Sequence, residues 1–150
     1  MNELRARVIS QEKGIYKISS GTAVKAATVS GRYRYNVQTV SDYPAVGDYV
    51  IAEWSEDDSN AVITGLFPRK SCFIRKAAGT GNREQVVAAN IDTAFICMSL
   101  NNNFNIRRLE RHLSVTYDSG ATPVVILTKS DLCSDVESKI FEVQNAAPGV

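Results

Sequence analysis

The sequence predicts a small β-barrel of OB type followed by an incomplete α/β segment with the order βαβα. Residues 1 to about 68 run as short stretches of strand-forming residues separated by glycine or turn clusters. Beyond about residue 91, two nearly uninterrupted apolar runs alternate with two segments of helical periodicity. The 150 residues are 44% hydrophobic and 22% charged, a globular composition that excludes wholesale disorder.

In the first half the strand segments are Arg5 to Ile9, Ile15 to Ile18, Ala23 to Val29, Tyr35 to Val40, Tyr49 to Trp54 and Ala61 to Phe67. Gly14, Ser19-Ser20-Gly21, Ser30-Gly31, Tyr43-Pro44 with Gly47, and the stretch Glu56 to Asn60 supply the turns between them. No stretch here carries a helical stripe. About five strands are too few for a two-sheet sandwich and enough for a closed or partly open barrel, with Trp54 in its core or on its rim. Residues 69–90 read as a linker, and Ala77 to Asn82 as its mobile loop.

In the second half, residues 91–150, Thr93 to Leu100 is expected to be a parallel strand covered on both faces, with Cys97 as a small core residue. Asn105 can cap a helix whose stripe is Ile106, Leu109, Leu113 and Tyr117, and Gly120 can stop it. Pro123 to Leu127 is a second buried strand. Ser134 and Glu137 have capping-box spacing, followed by Val136, Ile140 and Val143 on one helix face. Strand, helix, strand, helix implies parallel, right-handed crossovers in a doubly wound fold. Two such units leave a sheet incomplete, so the domain is expected to be truncated and to continue past Val150.

Several function classes are excluded. The longest apolar run, Ala94 to Leu100, is far short of the ~20 residues of a membrane span, and no apolar signal segment follows Met1. Cys72, Cys97 and Cys133 have neither disulfide-framework nor zinc-site spacing, which points to no metal in this chain and to a cytoplasmic, reducing compartment. His112 has no nucleophile visibly paired with it, and Arg107, Arg108 and Arg111 read as a solvated helix face. The net charge of +1 excludes a uniformly basic nucleic-acid binder. It conceals a split: residues 1–80 hold 11 Lys+Arg against 8 Asp+Glu, and residues 81–150 hold 6 against 8. Arg32-Tyr33-Arg34-Tyr35 interleaves cations with aromatics, which suits phosphate contact with base stacking, or else forms a solvated hairpin with tyrosines half in the core. Arg69, Lys70, Arg75 and Lys76 add positive charge and complete the set of RNA-binding candidates.

Thr128-Lys129-Ser130-Asp131 directly follows the second apolar strand, where doubly wound folds bind ligands. An aspartate fixed there can accept hydrogen bonds from the ring N–H and the exocyclic amine of guanine, while a lysine stem lies along the base. Adenine offers no such pair of donors, and sites built on such bonds discriminate by up to roughly 10⁴-fold. On its own the tetrapeptide reads either as this loop or as an ordinary strand-to-helix turn.

The wider sequence resembles one family. Gln85 to Asp92 (QVVAANID), Ser99 to Arg111 (SLNNNFNIRRLER) and Ser119 to Leu132 (SGATPVVILTKSDL) are similar to the bacterial ribosome small-subunit-dependent GTPase A family, RsgA. Tyr43 to Asp48 (YPAVGD) and Arg69 to Lys76 (RKSCFIRK) extend the likeness through essentially the whole chain. The resemblance implies an amino-terminal OB domain over 1–68, the first part of a circularly permuted GTPase domain over 91–150, and a carboxy-terminal zinc domain not present here. It makes Thr128, Lys129, Ser130 and Asp131 the guanine-binding residues. Thr128 stands where Asn is commoner, which puts in doubt a brace to the phosphate-binding loop. It also implies GTP or GDP with Mg²⁺ as cofactors and the small ribosomal subunit and its rRNA as partners; the chain itself is expected to be a monomer. No Gly-x-x-x-x-Gly-Lys-Ser/Thr occurs, so this chain is expected to contain no catalytic residue and to be inactive alone. The alternative is a non-enzymatic OB-fold RNA-binding module.

Overall fold

A computed structural model of the protein describes residues 2–54, 59–76 and 84–150, apart from the side chains of Asn2 and Lys76. The chain divides into two compact units, Met1–Ile91 and Asp92–Val150.

The first unit contains β1 (Asn2–Glu12), β2 (Ile15–Ser19), β3 (Val24–Val29), α1 (Gly31–Asn36), β4 (Tyr49–Trp54), β5 (Asn60–Leu66), β6 (Cys72–Lys76) and β7 (Glu84–Ala89). Five strands close into a barrel in the order β1-β2-β3-β5-β4. The β3–β5 pair is parallel and the other pairs are antiparallel. Lys13 and Gly14 both have positive φ, 46° and 83°, the geometry that matches a two-residue hairpin loop to the twist of its strands. Alternation then sorts the faces. Along β4, Val50, Ala52 and Trp54 are buried while Tyr49, Ile51 and Glu53 lie on the outer side. With Val8, Tyr16, Ile18, Ala61 and Ile63 the inward residues make one core, which places Trp54 inside it.

Two readings of this half need correction. Tyr35 to Val40 is not a strand: Gly31–Asn36 is helical, and a 3-10 turn follows over Val40–Asp42. The Ser30 hydroxyl accepts from the Tyr33 amide at 3.0 Å and caps that helix, which at six residues is too short to show a periodic stripe. The stretch 69–90, read as a linker, holds the antiparallel hairpin β6–β7 and groups with the barrel. The loop Ala77 to Asn82 and the acidic turn residues Glu56, Asp57 and Asp58 lie outside the described residues.

The second unit contains β8 (Thr93–Ser99), α2 (Ile106–Ser119), β9 (Thr122–Thr128) and α3 (Val136–Ala146). β8 and β9 pair in parallel without a register break, from Thr93 opposite Thr122 to Ser99 opposite Thr128. Asn105 caps α2 by accepting from the Arg108 amide at 3.0 Å, and Gly120 ends it at φ 85°. Ile96, Met98, Leu109, Leu113, Val143 and Ala147 form the core.

Here too the structure differs in detail. Tyr117 is 57% exposed, and Thr116 takes the buried position. Each step of four residues rotates by about 40° beyond a full turn, so Tyr117 has drifted off the face that Leu109 defines. Asp135, not Ser134, caps α3, its carboxylate accepting from the Ser138 amide at 3.0 Å. Among the described residues the helices cover one face of the strand pair. Phe95 (67%) and Val124 (38%) are exposed on the other, as is Cys97, which is therefore not a core residue.

Candidate guanine-reading loop and basic barrel surface

β8 and β9 end side by side, so the loops that leave them share one edge of the sheet. After β8, the Asn101 side chain accepts from the Ser99 hydroxyl and the Asn103 amide, both at 3.0 Å. Arg108 donates to the Asn103 carbonyl and pins that loop to α2. After β9, the Thr128 carbonyl accepts from the Leu100 amide at 2.8 Å, and its hydroxyl reaches the Met98 carbonyl at 3.5 Å. Thr128 is thus bound back onto β8. Lys129 turns the chain in the left-handed region, φ 58° and ψ 40°, a conformation that costs an L-residue roughly 1–2 kcal/mol. Ser130–Leu132 then make a single 3-10 turn, with the Leu132 amide donating to the Lys129 carbonyl at 3.1 Å.

Lys129, Ser130 and Asp131 are all exposed. The strained turn brings them together at the carboxyl edge of a parallel pair, where a carboxylate and a lysine stem can meet the edge and face of one planar base. The Asp131 carboxylate is open to solvent.

The basic candidates divide. Arg32, Arg34 and Tyr35 stand exposed on α1, Tyr35 at 91%. Tyr33 does not join them: it is half-buried and donates its hydroxyl to the Asp42 carbonyl at 2.6 Å, and burial pushes its phenol up to about 12. Lys70 is exposed. Arg75 is exposed on β6 and reaches the Gln85 side chain at 3.5 Å. Gln85 and Arg34 line one cavity of about 320 Å³, which puts α1 and the β6–β7 hairpin on the same side of the unit. Lys76 lies at the end of β6, its side chain outside the described residues.

Arg69 has a different occupation. Its Nε and Nη2 donate to the Asp48 carboxylate at 2.9 and 2.7 Å, and Nη1 and Nη2 donate to the Ser41 and Tyr43 carbonyls at 2.7 and 2.9 Å. Hydrogen bonding to Asp48 raises the guanidinium pKa further. Asp48 is fully buried and also accepts from the Ala45 amide at 2.8 Å and from Asn90 Nδ2 at 3.5 Å. Asn90 accepts in turn from the Lys70 amide at 2.9 Å. Gly47 completes the junction: at φ 92° its missing Cβ would lie 2.0 Å from the Ala89 carbonyl oxygen. This network ties the barrel to its hairpin, and sequence reasoning missed it although Gly47, Asp48, Arg69 and Asn90 all lie in the motifs quoted above.

The family model described as RsgA GTPase matches residues 66–150. The chain belongs to the RsgA GTPase family. It is 41% identical over 150 residues to the small ribosomal subunit biogenesis GTPase RsgA 2 of Lactiplantibacillus plantarum, covering 99% of this chain and 42% of that protein. It is 35% identical over 147 residues to the protein named small ribosomal subunit biogenesis GTPase RsgA in Methanosarcina acetivorans, covering 98% and 39%. The chain thus spans about two-fifths of the length of these curated relatives. Its fold matches YloQ, described as a circularly permuted GTPase, with a TM-score of 0.71 at 22% identity over 96% of this chain and 47% of that one. It also matches YjeQ from Thermotoga maritima with a TM-score of 0.74 at 19% identity, covering 96% and 48%.

Among the described residues no three His, Cys, Asp or Glu side chains come together as a metal site. No helix among them is long and apolar enough to cross a membrane.

Proposed function

We propose that the protein acts as a monomeric, cytoplasmic, ribosome-associated GTPase in late maturation of the small ribosomal subunit. Residues 1–68 form its RNA-binding barrel, and residues 91–150 open its permuted GTPase domain. The observation that carries the reading is the Thr128 to Asp131 loop, held in a strained turn at the carboxyl end of a parallel strand, in a chain of this family.

In this reading the Asp131 carboxylate accepts from the ring N–H and amine of guanine while the Lys129 stem lies along the base. Thr128 fixes the loop to β8 through the carbonyl of Met98. Arg32, Arg34, Tyr35, Lys70, Arg75 and Lys76 face rRNA, and Arg69 instead holds Asp48. Nucleotide state then governs docking on the subunit or release from it.

Nucleotide binding by the full-length natural protein tests the base assignment. Asp131→Asn presents a donor where the carboxylate accepted, so it should weaken GTP binding and improve binding of xanthosine triphosphate. Unchanged preference for guanine over xanthine in that variant would overturn the assignment.

A further inference from the structure

The outer face of β1 and β4 carries a second cationic surface. Across the two strands Arg5 lies opposite Ile51, and Arg7 opposite Tyr49. The guanidinium carbon of Arg5 sits 4.1 Å from the centroid of the Tyr49 ring and 5.3 Å from that of Phe67, and the Arg7 guanidinium sits 5.5 Å from Tyr49. Phe67 is anchored there by its amide, which donates to the Tyr49 carbonyl at 2.9 Å. Both arginines are exposed, and among the described residues neither is in an ion pair. Beside them runs an open groove of about 470 Å³, bordered by Ile9, Ser19, Ser20 and Gly21.

Stacking on an aromatic ring fixes the plane of a guanidinium and leaves its N–H edge able to donate; Arg7 donates from Nη2 to the Asn90 carbonyl at 3.4 Å and keeps its other donors, so the forks are oriented before any ligand arrives. Bidentate donors of this kind match phosphate oxygens. Two forks along one strand, beside a groove floored by small residues, suit an extended polyanion better than a single anion. The Tyr49 and Phe67 rings serve here as the platforms on which the guanidinium groups lie.

We propose that Arg5, Arg7 and Tyr49 form a second RNA contact, which holds the phosphodiester backbone of a single strand in this groove. It rests on the reading that the protein binds rRNA, and it is separate from the α1 surface.

Binding of a short single-stranded oligouridine by the full-length protein, followed across a salt series, tests it. Each phosphate contact on a single strand contributes about 0.7 to the slope of log affinity against log salt, so Arg5→Ala with Arg7→Ala should lower that slope by roughly 1.4. Arg5→Lys should keep the slope and lose affinity, because an ammonium keeps the charge without the fork. A double variant with a wild-type thermal melt and a wild-type salt curve would overturn the proposal. If Arg32→Ala and Arg34→Ala shift the curve while the β1 pair does not, the rRNA reading stands and this face falls. If neither set shifts it, both fall. Competition by polyglutamate as strong as that by RNA of equal charge would reassign the face to an acidic protein and overturn the RNA contact.

Discussion

Asp48 sits in an environment that leaves it little freedom. Its carboxylate is wholly out of water, and among the described residues its charge is balanced by Arg69 at 2.7 Å. Removing one partner of a buried pair leaves an uncompensated charge, at a cost of about 3–5 kcal/mol, whereas an exposed substitution such as Arg32→Ala stays within about 0.5 kcal/mol. Arg69→Ala should therefore shift the urea midpoint strongly and Arg32→Ala hardly at all. Equal, small shifts would show that Arg69 is not the latch described. Tyr33 gives a second test, through pH. Its phenol titrates near 10 in an unfolded chain and at about 12 here, so its contribution is complete below pH 10 and is lost as pH rises from about 10 to 12. Tyr33→Phe should flatten the fall in stability over that window, measured as the urea midpoint against pH. The sequence shows that positions 32–35 and 69 are cationic or aromatic, but not which are free. That depends on pairings such as Arg69 with Asp48, 21 residues apart, which no local pattern encodes.

At the scale of elements, strands with strong alternation and the long capped helix were legible because their signals are local. β4 alternates at every position, and Asn105 and Gly120 bracket α2 as the sequence reading expects. The short helix α1 and the hairpin β6–β7 were not. Six residues hold less than two turns, and a hairpin docked through Asp48, Arg69 and Asn90 declares itself by distant contacts. The run Phe95-Ile96-Cys97-Met98 misled for another reason. An apolar run reports that both faces can be buried, not that this chain supplies both covers, and here only Ile96 and Met98 are covered. A measurement follows from that. In the 150-residue chain, Cys97 is exposed while Cys72 and Cys133 are partly shielded. A colourless aromatic disulfide reagent should modify Cys97 first, and Cys97→Ser should remove the fastest phase. A fastest phase that survives Cys97→Ser would show that the face is covered.

At the scale of the whole molecule, two units with different grammars carry different charge, a basic first half and an acidic second half. In the proposed reading that split suits one unit to a polyanion and the other to the base of a nucleotide, whose edge is neutral and read by hydrogen bonds. The division also bears on hydrolysis. Transfer of a γ-phosphoryl group depends on holding the phosphates in line with the attacking water and on neutralising their charge. In the proposed reading the Thr128 to Asp131 loop addresses the base alone, and the 150 residues contain no Gly-x-x-x-x-Gly-Lys-Ser/Thr to cradle phosphates. The 150-residue chain should therefore release no phosphate from GTP above background, with or without Mg²⁺ and small ribosomal subunits. Phosphate release by a clean preparation, lost on Asp131→Asn, would mean that phosphate clamping arises from residues with no recognisable motif. Release that survives Asp131→Asn would remove this loop from the nucleotide site altogether.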